Sequence, residues 1–178
     1  MDIAKELESL KSQLEEIKGG RNKLSMVVFS GDLDKLLASF IIATGAVAMG
    51  MDVVMFFTFW ATPALRDKKK KGKGKDIFGK MFGFMLPKGP TKVKLSNMHM
   101  GGMGTGMMKH LMKKKNIQSL EEMIALAGEL GVKIYVCEMS MDLMGMKIEE
   151  MIDYPGMEVA GVAKFLEQAA DSKVQLFI

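Results

Sequence analysis

The sequence predicts an α/β protein with a flavodoxin-like, mostly parallel sheet, helices on both faces of that sheet, and a helix at the N-terminus. Three observations lead there. Short runs rich in Val, Ile, Phe and Met alternate with longer helical patterns, the signature of β-α-β units. The strand-like runs are apolar at consecutive positions, as in strands buried on both faces. Finally, 178 residues with 48% hydrophobic and 26% charged content suit one domain around one core.

The elements follow in order. Ile3, Leu7, Leu10, Leu14 and Ile17 are spaced alternately four and three apart and end at Gly19-Gly20, a heptad seam. Residues 1–20 are therefore a helical arm. A seam this short is marginal alone, so it is buried either in a homo-oligomer or against its own domain. Residues 21–178 form the α/β domain. Leu24–Phe29 reads as the first strand, Ser30-Gly31-Asp32 as a turn, and Leu33–Met49 as a helix with Asp32 as its N-cap. Gly50 stops that helix, and Asp52–Phe59 is the second strand.

That region also needs a membrane test. Between Lys35 and Arg66 the only charge is Asp52. A span needs about 20 apolar residues, and Asp52 would sit near the middle of a merged one at about 2.5–3.5 kcal/mol. The residues before Asp52 are Ala-, Leu- and Ile-rich, and those after it are β-branched and aromatic. A buried helix followed by a buried strand accounts for both halves.

Residues 61–112 read as a flexible insertion rich in Lys, Gly and Met. Its run Lys68-Lys69-Lys70-Lys71-Gly72-Lys73-Gly74-Lys75 is a solvated loop, or a docking patch for an acidic partner or anionic lipid head groups. Peripheral membrane contact is thus one reading. Eight of the 20 methionines fall between Met81 and Met112, near His99 and His110. Thioethers bind Cu(I), but the spacing defines no ligand set, and adaptable packing is the simpler role. Ser119–Leu130 is a helix with a Ser119/Glu122 capping box. Then come a strand Val132–Cys137, a short helix from Met141 capped by Ser140, a strand near Met157–Val159, a helix Ala160–Ala170 and a last strand Lys173–Ile178.

Several function classes fall away. A net charge of +4 with 7% aromatics offers no stacking platform for nucleic acid. No Walker A or G-x-G-x-x-G stands between a strand and a helix, so no cofactor is expected, and no metal-ligand cluster is visible. The single cysteine forbids an internal disulfide, and the charged N-terminus is unlike a signal peptide. A reducing cytoplasm is the simplest setting.

The remaining chemistry points to Cys137. It ends a strand and precedes a helix, where free N–H groups favour a thiolate, and strand carboxyl ends form the crevice of open α/β sheets. Cys137-Glu138-Met139-Ser140 places a hydroxyl within reach of the sulfur. Glu138 and Asp142 act against it, because negative charge raises a thiol pKa. A lone cysteine is also often a small buried hydrophobe.

Ser30-Gly31-Asp32-Leu33-Asp34-Lys35, Phe56-Phe57-Thr58-Phe59-Trp60 and the segment from Cys137-Glu138-Met139-Ser140 to Gly145 resemble the DsrE/DsrF-like family, in its single-chain, peroxiredoxin-like branch. The resemblance covers Leu24–Ile178. It implies a flavodoxin-like fold, homo-oligomers and sulfur handling, with Cys137 accepting a persulfide or thiosulfonate and passing it on. It also implies TusA-like and rhodanese-like sulfur carriers as partners. Ser30, Gly31, Asp32, Trp60 and Ser140 are the expected substrate-binding residues around Cys137, with Met98–Met108 as an adaptable lid. The expected function is a cysteine-based sulfur carrier or sulfurtransferase. The alternatives are a non-catalytic partner-binding or assembly protein and a thiol-dependent oxidoreductase, although the lone cysteine supplies no resolving partner.

Overall fold

The computed structural model describes residues 7–9, 11, 22–72, 74–75 and 77–178. Leu7, Glu8, Ser9 and Lys11 are helical; Ile3, Leu10, Leu14 and Ile17 lie outside the described residues. The sheet has five strands, all parallel: β1 (Lys23–Val28), β2 (Asp52–Phe57), β3 (Lys133–Cys137), β4 (Met157–Ala160) and β5 (Val174–Phe177). Their order is β4-β3-β2-β1-β5. Successive crossovers thus step one way from β1 to β4, and only the last returns to pair β5 with β1.

Right-handed crossovers put helices stepping one way on one face and the returning helix on the other. The packing fits this. α1 (Leu33–Ala48) is the crossover from β1 to β2. Two further helices lie between β2 and β3, α2 (Ile77–Met85) and α3 (Met103–Lys114), before α4 (Leu120–Glu129). Leu33, Leu36 and Phe40 of α1 and Met123 and Ile124 of α4 join Met26, Met55 and Ile134 in the larger core. After β3 comes the short α5 (Glu138–Leu143), and after β4 comes α6 (Val162–Ala170). Phe165 and Ala169 of α6 meet Val54, Phe56, Tyr135 and Cys137 on the opposite face. The central strands are buried along nearly their whole length, which is why their apolar residues are consecutive.

Local signals act as their chemistry requires, with corrections. Gly50 has φ 75° and ends α1, with the Gly50 N–H bonded to the Val47 carbonyl and Met51 to Ala46. Ser119 and Glu122 form the reciprocal capping box. Asp32 stands at the N-cap of α1, yet its side chain makes no cap bond. The Leu33 N–H instead donates to the Lys94 carbonyl at 2.7 Å, leaving the Asp32 carboxylate to accept the Ser30 hydroxyl at 2.8 Å.

The second strand ends at Phe57, not Phe59: residues Phe59–Leu65 coil into a 3-10 helix. α5 starts at Glu138, so Cys137, and not Ser140, occupies its N-cap. The 61–112 segment, expected as a flexible insertion, contains α2 and most of α3. Two lysines of the basic run are tied down. Lys70 pairs with Asp153 at 2.6 Å and donates to the Met151 carbonyl, and Lys75 pairs with Glu150. Among the described residues, no helix is long and apolar enough to cross a membrane.

Candidate functional site at the strand carboxyl ends

Cys137 sits at the carboxyl end of β3, next to β2 on one side and β4 on the other. Parallel register places it beside Thr58, one residue past the Phe57–Val136 pair. The residue is only 5% exposed. Burial pushes the Cys137 thiol up. Hydrogen bonds from the Ser140 and Thr58 hydroxyls and from the Ser140 and Met139 amides pull it further down, leaving it below the ordinary thiol range.

The hydroxyls are themselves organised. Ser140 Oγ lies 2.9 Å from Thr58 Oγ1 and accepts the Phe59 N–H at 3.0 Å. With a lone pair committed to that amide, the Ser140 proton is free to point at a partner. Phe59 reaches this position with φ 44°, a conformation that a bulky residue seldom adopts. Its ring is held against Phe29, with centroids 5.4 Å apart. A strained backbone position persists only where its surroundings over-determine it, and here it aims one amide at Ser140.

The expected binding residues fall into two neighbouring groups. Ser30, Gly31, Asp32 and Trp60 do come together, lining an open depression of about 610 Å³. A Cβ on Gly31 would collide with the Trp60 carbonyl oxygen, so the loops after β1 and β2 touch because this residue has no side chain. Cys137 and Ser140 are not among its lining residues; they lie one strand further on, behind Thr58. Ser30 donates to Asp32, and Asp32 pairs with Lys35 at 3.3 Å, so this corner is already internally bonded. The Met98–Met108 segment does not line the depression either. Phe84 and Met85 of α2 form that wall, with Lys88, Lys92 and Lys94 on the rim. His99 is bonded to Thr105 at 2.8 Å. Among the described residues, no three His, Cys, Asp or Glu side chains gather to hold a metal ion.

Sequence reasoning missed Thr58, a polar residue within an otherwise apolar run. It also missed the buried cluster that ties the two loops together. Glu150 accepts Arg66 at 2.9 Å and also binds Lys75, and the Asp67 amide donates to the Glu150 carbonyl at 2.7 Å. The segment after the 3-10 helix is thereby fixed to the segment after α5. Burial pushes the Glu150 carboxyl up, but its bonds to Lys75, Arg66 and the Lys147 amide bring it below the usual carboxylate range.

Such a five-stranded parallel sheet, with one polarised thiol at a central strand end, defines a class of thiol-bearing α/β proteins. Within that class the chain belongs to the DsrE/DsrF/DrsH-like family, whose model matches residues 20–177. It is 44% identical to the uncharacterized protein YrkE of Bacillus subtilis over 156 residues, covering 88% of this chain and 96% of that one. It is 38% identical to the sulfur carrier protein DsrE2 of Allochromatium vinosum over 162 residues, covering 89% and 99%. The fold is also that of the crystal structure of the YchN protein from E. coli, with a TM-score of 0.51 and 14% identity over 88% of this chain and 98% of that one.

Proposed function

We propose that this protein is a sulfur carrier that loads and unloads one sulfur atom at Cys137. The observation that carries the reading is the placement of Cys137 at the carboxyl end of β3 and the N-cap of α5, beside the paired Thr58 and Ser140 hydroxyls, surroundings that hold the thiol below its ordinary range. The similarity to a sulfur carrier protein over nearly the whole chain supports the same chemistry. In loading, the Cys137 thiolate attacks the outer sulfur of a donor persulfide. The Cys137–sulfur bond forms, the donor's S–S bond breaks, and the donor leaves as a thiolate. Unloading reverses the roles: an acceptor thiolate attacks the outer sulfur and Cys137 leaves as the thiolate. No net oxidant or reductant is consumed. A donor cysteine that carries a thiosulfonate hands it over in the same way: the Cys137 thiolate attacks the sulfane sulfur, the donor's S–S bond breaks and the donor leaves as a thiolate. TusA-like and rhodanese-like carriers, which present a cysteine persulfide or thiol of their own, are the partners this exchange requires, and a homo-oligomer in a reducing cytoplasm is its setting.

Incubation with polysulfide followed by mass spectrometry tests the reading. One added sulfur at Cys137, removable by dithiothreitol and absent from Cys137→Ser, is the expected result. Equal labelling of the serine variant would refute it. The low exposure of Cys137 favours a second reading, a partner-binding protein with an inert thiol. A folded protein that alkylates no faster than an ordinary buried cysteine would establish that one.

A further inference from the structure

α2 is built inside out. Ile77, Phe78, Met81, Phe84 and Met85 share one helical face and are all exposed, Ile77 by 81% and Phe84 by 88%. The opposite face carries Gly79 and Gly83. Gly79 is buried, and a Cβ on Gly145 would strike its Cα. Glycines thus let the helix backbone lie close to the body of the protein while every bulky apolar side chain but Phe82 points away. A helix stabilised by its own core has the reverse polarity. The apolar face continues past the helix: Phe84 and Met85 share the rim of one depression with Trp60, itself 51% exposed, and with Lys88, Lys92 and Lys94.

Charge is segregated in the stretch of chain that carries α2. Residues 68–120 contain fourteen lysines and one acid, Asp76, while the rest of the chain has eleven basic and twenty acidic residues. Lys68, Lys69, Lys71, Lys80, Lys88, Lys92 and Lys94 are exposed. A symmetric contact with a second copy would bring these lysines against their own counterparts. A surface that is apolar within and negatively charged at its boundary is the complementary one.

We propose that this face docks the protein on the surface of an anionic lipid bilayer, with Ile77, Phe78, Met81, Phe84 and Met85 entering the head-group boundary. Trp60 lies at the interface and the lysines pair with lipid phosphates. The contact is peripheral, and it presents the strand ends to the membrane. It stands whether or not Cys137 carries sulfur.

The test uses the full chain and vesicles of phosphatidylcholine with about one-third phosphatidylglycerol. Co-sedimentation and a blue shift of Trp60, the only tryptophan, are expected on these vesicles. Neither is expected on pure phosphatidylcholine. Binding should fall steeply as salt rises from about 0.1 to about 1 M, as the screening length contracts. Phe78→Ser with Phe84→Ser should weaken binding at least about tenfold by removing two buried rings. Lys88→Glu with Lys92→Glu should also weaken it, and alters charge alone in case the first variant folds poorly. Far-ultraviolet circular dichroism should stay unchanged in both, showing that each variant is folded. Absence of wild-type binding at millimolar anionic lipid would overturn the proposal, as would full binding by either variant. So would loss of an oligomer in the phenylalanine variant with vesicle binding intact, which would assign the face to a second copy.

Discussion

Ser140 Oγ lies 2.9 Å from Thr58 Oγ1, joining the residue after β2 to the first turn of α5 beside Cys137. Both hydroxyls hold the thiol below its ordinary range, against the opposing effect of burial. A lowered thiol pKa means that the reactive thiolate plateau begins at lower pH. Ser140→Ala should therefore move the midpoint of Cys137 alkylation upward and slow labelling at pH 7 by about three- to tenfold. Thr58→Val should act in the same direction, less strongly, since Ser140 is the larger contributor. Iodoacetamide rates measured from pH 6 to 10 decide it. An unchanged midpoint in Ser140→Ala would remove the hydroxyl from the site.

Glu150 carries the second expectation. Its side chain is 2% exposed and holds Arg66, itself 5% exposed. Glu150→Gln leaves that guanidinium buried without its counter-charge, and the expected loss of stability is about 3–5 kcal/mol. The pH dependence has a definite sign. The folded carboxyl lies below its unfolded value, so its stabilisation is complete above the unfolded range, about pH 4–5. It is lost as pH falls through the folded pKa. Urea midpoints of wild type should drop below about pH 4, and those of Glu150→Gln should be flatter there. Parallel curves would mean that another acid governs the transition.

Much of the fold was legible because its signals are local. Consecutive apolar residues in Leu24–Phe29 and Val132–Cys137, the stop at Gly50, and the pair Ser119 and Glu122 each act through neighbours in sequence. Ser30, Gly31, Asp32 and Trp60, expected around Cys137, meet one another because strand order brings the loops after β1 and β2 together, while Cys137 and Ser140 do not line their depression. What was not legible depends on tertiary contact. The apolar run does not change at Phe59, yet the chain turns there, because Ser140 receives its amide and Phe29 its ring. α2 falls in the segment expected as a flexible insertion rich in glycine; its glycines instead form the face that lies against Gly145. Ser140 resembles a cap in sequence, but the helix begins three residues earlier than expected, at Glu138, and buries the Ser140 hydroxyl against Thr58.

The capping box provides a local test. Ser119 Oγ accepts the Glu122 N–H at 3.3 Å, and Glu122 Oε2 accepts the Ser119 N–H at 2.7 Å. Ser119→Ala should destabilise the protein by about 1 kcal/mol. The Ser119 amide holds the Glu122 carboxyl below its usual range. The contribution of the box is therefore full at neutral pH and fades as pH falls through that lowered value. Thermal unfolding of wild type and Ser119→Ala at pH 7 and pH 3 checks both the size and the sign. A difference that grows toward pH 3 would contradict the assignment.

Two glycine substitutions separate packing from backbone strain. At Gly31 the backbone has no positive φ, but an added Cβ meets the Trp60 carbonyl. At Gly50 φ is 75° and nothing lies within 4 Å of the added atom. Gly50→Ala should thus cost about 1 kcal/mol through conformation alone and leave the distant Trp60 environment untouched. Gly31→Ala must push the loops after β1 and β2 apart, at about 1–3 kcal/mol for overpacking. It should also shift the emission of Trp60, whose neighbours are set by that approach. Fluorescence spectra of the two folded variants, taken beside their urea midpoints, give the comparison. A shift in Gly31→Ala and none in Gly50→Ala is expected. Identical spectra in both would mean that the depression does not depend on the contact between Gly31 and Trp60.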